Sequence, residues 1–317
     1  MRIFKADEIA ALAPPPRLVE ALREAFRGSL FVPPRQVLKL PGGDNQRLFL
    51  VMPAFDPHGA GMVKLLSVFP ENAAHGHPSI QAAVVVFSPT GSPLAVLDGT
   101  MVTHLRTGAA SALASTYLSR ADSSNLVIIG TGALAPHMAA AHAAVRPIGR
   151  ISVCGRSPER AQPTAAAIRR QVGPQVEVLV AEHAEAAVAS ADIICCATNS
   201  ATPVVRGGWL RPGAFVDLVG SFSPQKRESD DEVMLRSRIF VDTLEGALRE
   251  AGDVLDPLSR GVIGRERIEG ELADLVCGRC PGRTNDEEIT TFKSVGTAIE
   301  DLAAAQLILA AAAHEHR

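Results

Sequence analysis

The sequence predicts an α/β protein in which a doubly wound, parallel-sheet domain is inserted between the two parts of an α+β domain. Three observations predict it. Residues 126–129, Leu-Val-Ile-Ile, form the short unbroken apolar run that a strand buried on both faces needs, and a glycine-rich turn follows at once. From there apolar runs alternate with helical stretches as far as residue 241, the pattern of parallel strands joined by helices. Residues 37–97 read differently, as short apolar runs separated by Pro and Gly, the texture of antiparallel strands.

Taken in order, Pro14 to Pro16 precede an amphipathic helix with Leu18, Leu22, Ala25 and Phe26 at helical spacing and Gly28 placed to end it. Strands are predicted at 47–52, 61–68, 80–87 and 94–97, with Ser88-Pro-Thr-Gly91 as a hairpin turn. Residues 102–118, rich in Ala and Leu, predict a helix, and 119–124 a polar link. The parallel strands are predicted at 126–129, 151–154, 176–180, 193–197, 215–219 and 238–241, with helices between them that include 158–172 and 183–190. Residues 252–274 are looser and receive no element. Residues 294–313 predict a long helix, apolar on most of its circumference, which needs packing surfaces on both sides and so returns to the first domain. The domain reading is therefore 1–119 with 294–317 returning to it, and 120–293 between them.

The turn after the first parallel strand reads Gly130-Thr131-Gly132-Ala133-Leu134-Ala135, which is Gly-x-Gly-x-x-Ala. Gly130 permits the tight turn, Gly132 lets the backbone approach a pyrophosphate, and Ala135 keeps helix and strand close. The N–H groups that open the helix then face the phosphates. With a strand before it, a helix after it and a second strand at 151–154, the motif has the context of a Rossmann dinucleotide-binding domain. An NAD site carries an acid about 20 residues after the glycine motif, to hold the ribose 2′-hydroxyl. Here that place reads Cys154-Gly155-Arg156-Ser157, with no acid and a guanidinium beside a hydroxyl, so NADP(H) is favoured and NAD(H) stays possible.

Composition narrows the partners. Among 317 residues, 31 Lys and Arg against 34 Asp and Glu leave a net charge of −3, which gives no electrostatic reason to expect nucleic acid or an anionic membrane. The N-terminus carries charges where a signal peptide needs an apolar core, and Glu300 and Asp301 interrupt the C-terminal apolar stretch, so a cytoplasmic protein is expected. Cys154, Cys195 and Cys196 fall in predicted buried strands. Cys277-Gly-Arg-Cys280 and His75-Gly-His77 are read as loop residues, and no metal site is expected.

The ordered motifs resemble the ornithine cyclodeaminase/mu-crystallin family over nearly the whole chain. They are Pro34-Arg35, Gly61-Met-Val-Lys64 with Pro70-Glu-Asn72, Leu105-Arg106-Thr107-Gly108-Ala-Ala110, the Gly130 turn, Val219-Gly220-Ser221 with Arg227-Glu228, residues 245–253, and Phe292-Lys-Ser294-Val295-Gly296 through Glu300-Asp301. The resemblance implies a homodimer in which the outer domain binds substrate and dimerises. It places substrate contacts on Arg35, Lys64 and Arg106. Cations brought together suit a carboxylate, and a lysine in an apolar setting has a lowered pKa and can hand over a proton, which makes Lys64 the catalytic candidate. The cofactor-contacting set is Thr107, Gly130, Thr131, Gly132, Ala133, Ala135, Arg156, Ser157, Thr198, Val219, Gly220, Ser221, Val295 and Gly296, and Gly108 neighbours it.

One departure bears on function. The family's cyclodeaminases and alanine dehydrogenases carry an Asp where this sequence has Phe222, and the strand at 47–52 lacks the family's other acid. Proton transfers at two nitrogens need a group that changes charge, and Phe cannot. Asp217, Glu228 or Asp230 could substitute only if the loop differs from the expected one. A simpler reaction is therefore expected, NAD(P)H-dependent reduction of a cyclic ketimine carboxylate such as 1-pyrroline-2-carboxylate or 1-piperideine-2-carboxylate. The alternatives are ornithine cyclodeamination, amino acid dehydrogenation, or nucleotide-bound ligand binding without turnover. Phe222 itself is expected to wall an apolar side of the substrate pocket.

Overall fold

The computed structural model describes residues 1–41 and 47–315. The chain divides into two compact units, Met1–Arg106 with Thr297–Arg317, and Thr107–Gly296.

The first unit opens with β1 (Arg2–Phe4), α1 (Ala6–Leu12) and α2 (Pro15–Arg27). Two prolines occupy the first turn of α2, where a missing N–H costs nothing, and Leu18, Leu22 and Phe26 line its buried stripe. Next come β2 (Gln36–Lys39), β3 (Leu48–Phe55), β4 (Gly61–Val68), β5 (Ile80–Phe87) and β6 (Pro93–Asp98). They form one sheet in the order β1-β6-β5-β4-β3-β2, in which β1 runs parallel to β6 and the remaining pairs are antiparallel. The turn at 88–91 joins β5 to β6 as predicted, closed by Gly91 N–H donating to the Ser88 carbonyl at 2.9 Å. Side chains alternate between the two faces of these strands. Leu50, Met52, Ala54, Met62, Leu66, Val84 and Val86 are buried, whereas Ile3, Leu38, Phe55 and Leu94, on the opposite face, remain between 41% and 65% exposed.

The helix α3 (Gly99–Leu118) carries the chain into the second unit. The sequence boundary at 119/120 marks the end of this helix, but the compact unit ends earlier, after Arg106. The reason is that the later turns of α3 pack into the second unit: Ser111 Oγ donates to Asp217 at 3.0 Å, and the Leu118 carbonyl accepts from Thr290 Oγ1 at 2.6 Å.

The second unit alternates β7 (Asn125–Ile129), α4 (Ala135–Val145), β8 (Arg150–Cys154), α5 (Pro158–Val172), β9 (Glu177–Val180), α6 (Ala184–Ser190), β10 (Ile193–Cys196) and β11 (Phe215–Leu218). Then follow α7 (Asp231–Arg236), β12 (Ser237–Val241), α8 (Leu244–Glu250), α9 (Gly252–Ser259), β13 (Ile268–Glu271), α10 (Leu272–Val276) and β14 (Ile289–Lys293). All eight strands are parallel, in the order β9-β8-β7-β10-β11-β14-β12-β13. The strand order reverses between β7 and β10, and that switch point at the carboxyl ends of the strands is where open α/β sheets take ligands.

Two segments differ from the sequence reading. The unassigned stretch 252–274 holds α9, β13 and most of α10, and β14, which the sequence reading omits, lies inside the sheet between β11 and β12. The last helix, α11 (Ala298–Glu315), starts four residues later than the predicted 294 because Asp242 holds residues 294–296 out of the helix and Gly296 has φ +82°. α11 belongs to the first unit, packing on α2, β3 and β4.

Candidate active site

In the first unit the chemistry gathers on Lys64. Its position on β4 lies in one row with Met52 on β3 and Val84 on β5, so its side chain points to the buried face and is 0% exposed. An ammonium removed from water needs a counter-charge. Asp301, on the first turn of α11, supplies it: Lys64 Nζ donates to Asp301 Oδ1 at 2.9 Å. Arg106, on α3 and 6% exposed, donates from Nη1 to Glu300 Oε2 at 2.5 Å, and its Nε lies 3.3 Å from the same Asp301 Oδ1. Asp301 Oδ2 is buried with no hydrogen-bond partner among the described residues. Burial lowers Lys64 to about 8 against the pull of Asp301, and Arg106 pushes it further down.

Arg35 stands just before β2. Its neighbour Gln36 pairs with Val51, and Met52 pairs with Lys64, so Arg35 reaches the same row two strands away, roughly 10 Å at Cα from the usual strand spacing. The structure thus brings Lys64 and Arg106 together and leaves Arg35 at the sheet's edge. Beside the two clustered cations stand two acids, Glu300 and Asp301, that the sequence reading does not place there.

In the second unit, Gly130 adopts φ +130°, and a Cβ there would fall 2.4 Å from the Ala197 carbonyl oxygen, so the tight turn needs glycine. Ala135, fully buried, opens α4, while Gly132 and Ala133 are exposed. A Cβ at Gly132 would meet nothing within 4 Å, which leaves that side of the turn open to a ligand's phosphates. The Thr131 carbonyl accepts from Thr164 Oγ1 at 3.2 Å. Thr107 is buried on α3, at the start of the second unit. Arg156 is exposed past the end of β8, and Ser157, the N-cap of α5, bonds through its hydroxyl to Glu159, lowering that carboxyl. These residues fit a dinucleotide at the switch point of the sheet.

The remaining residues of the cofactor set have much of their polar capacity in use. Glu228, fully buried, accepts from Thr198 N at 2.7 Å, Thr198 Oγ1 at 2.8 Å and Gly220 N at 2.8 Å. Burial raises this carboxyl to about 7. Ser221 Oγ donates to the Lys226 carbonyl at 2.5 Å. Asp242 Oδ2 takes the amides of Val295 and Gly296 at 2.8 and 2.6 Å. A cofactor would meet Val219, Val295 and these loops mainly through carbonyls and side chains.

The three acids considered as substitutes all belong to the second unit. Asp217 is fully buried and bonds His142 Nε2 at 3.1 Å and Ser111. Together with Cys195 these place ligand-type atoms within 4.8 Å of one another, where a hydrogen bond already joins His142 to Asp217. Asp230 caps α7, accepting from Val233 N. Phe222 packs on the apolar cluster of Val241, Ala247, Ala251, Val254 and Val295. Asp301 and Glu300, read in the sequence only as interruptions of an apolar stretch and as part of a motif, are the acids beside the candidate lysine. Two acids in a helix apolar all round were the signal that could have found them, since buried charges need partners.

A doubly wound sheet with a Gly-x-Gly-x-x-Ala turn, joined in one chain to a unit with a buried lysine and arginine, defines a dinucleotide-dependent oxidoreductase. The chain belongs to the ornithine cyclodeaminase/mu-crystallin family, whose sequence profile matches residues 6–315. It is 37% identical over 313 residues to a Delta(1)-pyrroline-2-carboxylate reductase of Colwellia psychrerythraea, covering 98% of each chain. Among solved structures, Thermococcus litoralis Delta(1)-pyrroline-2-carboxylate reductase in complex with NADH and L-proline superposes with a TM-score of 0.94 at 36% identity, over 100% of this chain and 98% of that one. An archaeal alanine dehydrogenase dimer with bound NAD follows, with a TM-score of 0.91 at 32% identity, over 100% and 97%.

Proposed function

We propose that this protein is a reductase of cyclic ketimine carboxylates, converting 1-pyrroline-2-carboxylate or 1-piperideine-2-carboxylate to the cyclic amino acid. The observation that carries this reading is the buried Lys64 ammonium beside Arg106, in a chain similar end to end to pyrroline-2-carboxylate reductases. A reduced nicotinamide, when bound, supplies the hydride that C2 of the ring receives. Lys64 gives one proton to the ring nitrogen and recovers it from solvent, so imine, hydride and proton sum to the amine. Arg106 holds the carboxylate, since the planar fork of a guanidinium matches the two oxygens of that group. Arg35, from the edge strand, steadies the same group.

Turnover of ornithine would require further proton transfers at a second nitrogen, and Phe222 supplies none. The test follows loss of reduced-cofactor absorbance with each cyclic imine, in parallel with ammonia release from ornithine. Imine reduction without ammonia is the expected outcome, and efficient conversion of ornithine would replace this reading with the cyclodeaminase one. Reductive amination of pyruvate at a comparable rate would favour the alanine dehydrogenase reading.

For the cofactor we favour NADP(H), on exposed Arg156 and on the lack of an acid at the end of β8. Solved relatives carry NADH or NAD, so the comparison of dissociation constants is direct. A tenfold preference for NADH would transfer the role to Glu159 as acceptor for the ribose hydroxyl. The outer unit, which would bind substrate and dimerise, offers the apolar sheet face bearing Ile3, Leu38, Phe55 and Leu94 for a second copy. Among the described residues no helix is long and apolar enough to cross a membrane.

A further inference from the structure

We propose that Asp301 is the positioning carboxylate of this site, holding the Lys64 ammonium through Oδ1 and offering Oδ2 to a cationic ring nitrogen, so that the pocket selects substrates with a protonatable nitrogen. The inference rests on the imine-reductase reading above.

Three observations carry it. Lys64 and Asp301 are both 0% exposed and share one short hydrogen bond, so the orientation of the ammonium is set by that carboxylate. Asp301 Oδ2 lies buried without a hydrogen-bond partner among the described residues, and an unpaired carboxylate oxygen in the interior is costly unless a ligand donor meets it. Among the described residues, the charges acting on Lys64 are Asp301 and Glu300 from α11 and Arg106 from α3, whose formal charges with that of Lys64 sum to zero.

That neutrality governs the proton step. When Lys64 protonates the imine, one positive charge moves from Nζ to the ring nitrogen and the cluster's net charge does not change, which keeps the transfer inexpensive in a dry site. Hydride addition at C2 then leaves a neutral amine, and Lys64 regains its proton from solvent. A 2-oxo acid has no such nitrogen, and its carbonyl oxygen would meet the unpaired Oδ2 as a second acceptor.

The test exploits the five lysines of the chain, Lys5, Lys39, Lys64, Lys226 and Lys293. With lysine labelled by carbon-13 at Cε, the resonance missing from Lys64→Met belongs to Lys64, and its titration needs no turnover. In Asp301→Asn the midpoint of Lys64 is expected to fall by about one pH unit or more, with the alkaline limb of kcat/KM moving equally, because burial and Arg106 then act unopposed. An unmoved midpoint overturns the proposal. Asp301→Glu keeps the charge and displaces it, so it decides the matter if the Asn variant does not fold. There the midpoint should stay within about half a unit while kcat drops about tenfold or more. An unchanged kcat overturns the proposal. Absence of imine turnover in the wild-type protein would instead sink the underlying reading, with the lysine titration still deciding the role of Asp301.

Discussion

Each unit buries one lysine completely, Lys64 in the first and Lys293 in the second, and each sets an aspartate at its ammonium, Asp301 at 2.9 Å and Asp253 at 3.0 Å. The two pairs differ in what else holds the acid. Asp253 Oδ1 accepts from Glu228 N, Ser229 N and Ser229 Oγ, all within 2.9 Å, and the nearby Glu228 takes two more amides. Those carboxylates are tied into the backbone and stitch the ends of β10, β11 and β14 together. Asp301, by contrast, meets only side chains on Oδ1, while Oδ2 of both acids has no hydrogen-bond partner among the described residues. A buried ion pair anchored on amides is a fastener. One anchored on other side chains has capacity left for a ligand.

The contrast can be broken experimentally. Asp253→Ala strands Lys293 and three donors, and should cost about 3–5 kcal/mol of stability, read by denaturant unfolding of the second unit's signal. Lys64→Met should lower kcat/KM for the cyclic imine about a thousandfold, with dinucleotide affinity within about twofold of wild type. If instead Lys64→Met unfolds the protein as readily as Asp253→Ala does, the two lysines are equivalent and the contrast fails. Arg106→Lys removes the planar fork but keeps the charge, and should raise KM by about a hundredfold more than it lowers kcat.

The pH profile sharpens the same point. The reactive form of Lys64 is protonated and its pKa is lowered to about 8, so kcat/KM should be level below that pH and fall about tenfold per unit above it. A profile that stays level to pH 10 would remove Lys64 as the acid. The smallest expected effect is Arg156→Ala, a loss of about tenfold in NADPH affinity with NADH unaffected, measured by fluorescence titration.

Much of this architecture was legible because period and punctuation were unambiguous. β4 and β5 fall at the residues predicted, and the strands from β7 to β12 differ from their predicted ends by one residue at most. β14 was illegible for a physical reason. Ile-Thr-Thr-Phe-Lys offers neither an apolar run nor an alternation, yet all five residues are buried. Thr290 bonds the Leu118 carbonyl, Thr291 bonds Ser237 Oγ, and Lys293 meets Asp253, partners supplied by distant segments. The site divides in the same way. Lys64 and Arg106 stood out as charges in apolar surroundings, whereas Asp301 gains its meaning only from a lysine 237 positions earlier in the chain. The acid missing at Phe222 was a local absence that a sequence displays; Asp301 beside Lys64 was a tertiary presence that it does not.

The bonds made by Asp242 reach beyond the packing of one loop. Its Oδ2 accepts from Ser294 Oγ, Val295 N and Gly296 N, so three consecutive residues outside any helix or strand share one fully buried anchor. Amides in coil ordinarily trade their protons for deuterium within seconds to minutes, but these two can open only when Asp242 itself is freed. The stretch from which α11 departs should therefore be among the slowest to take up deuterium, on the timescale of the central strands, and in Asp242→Ala it should exchange like an ordinary surface turn.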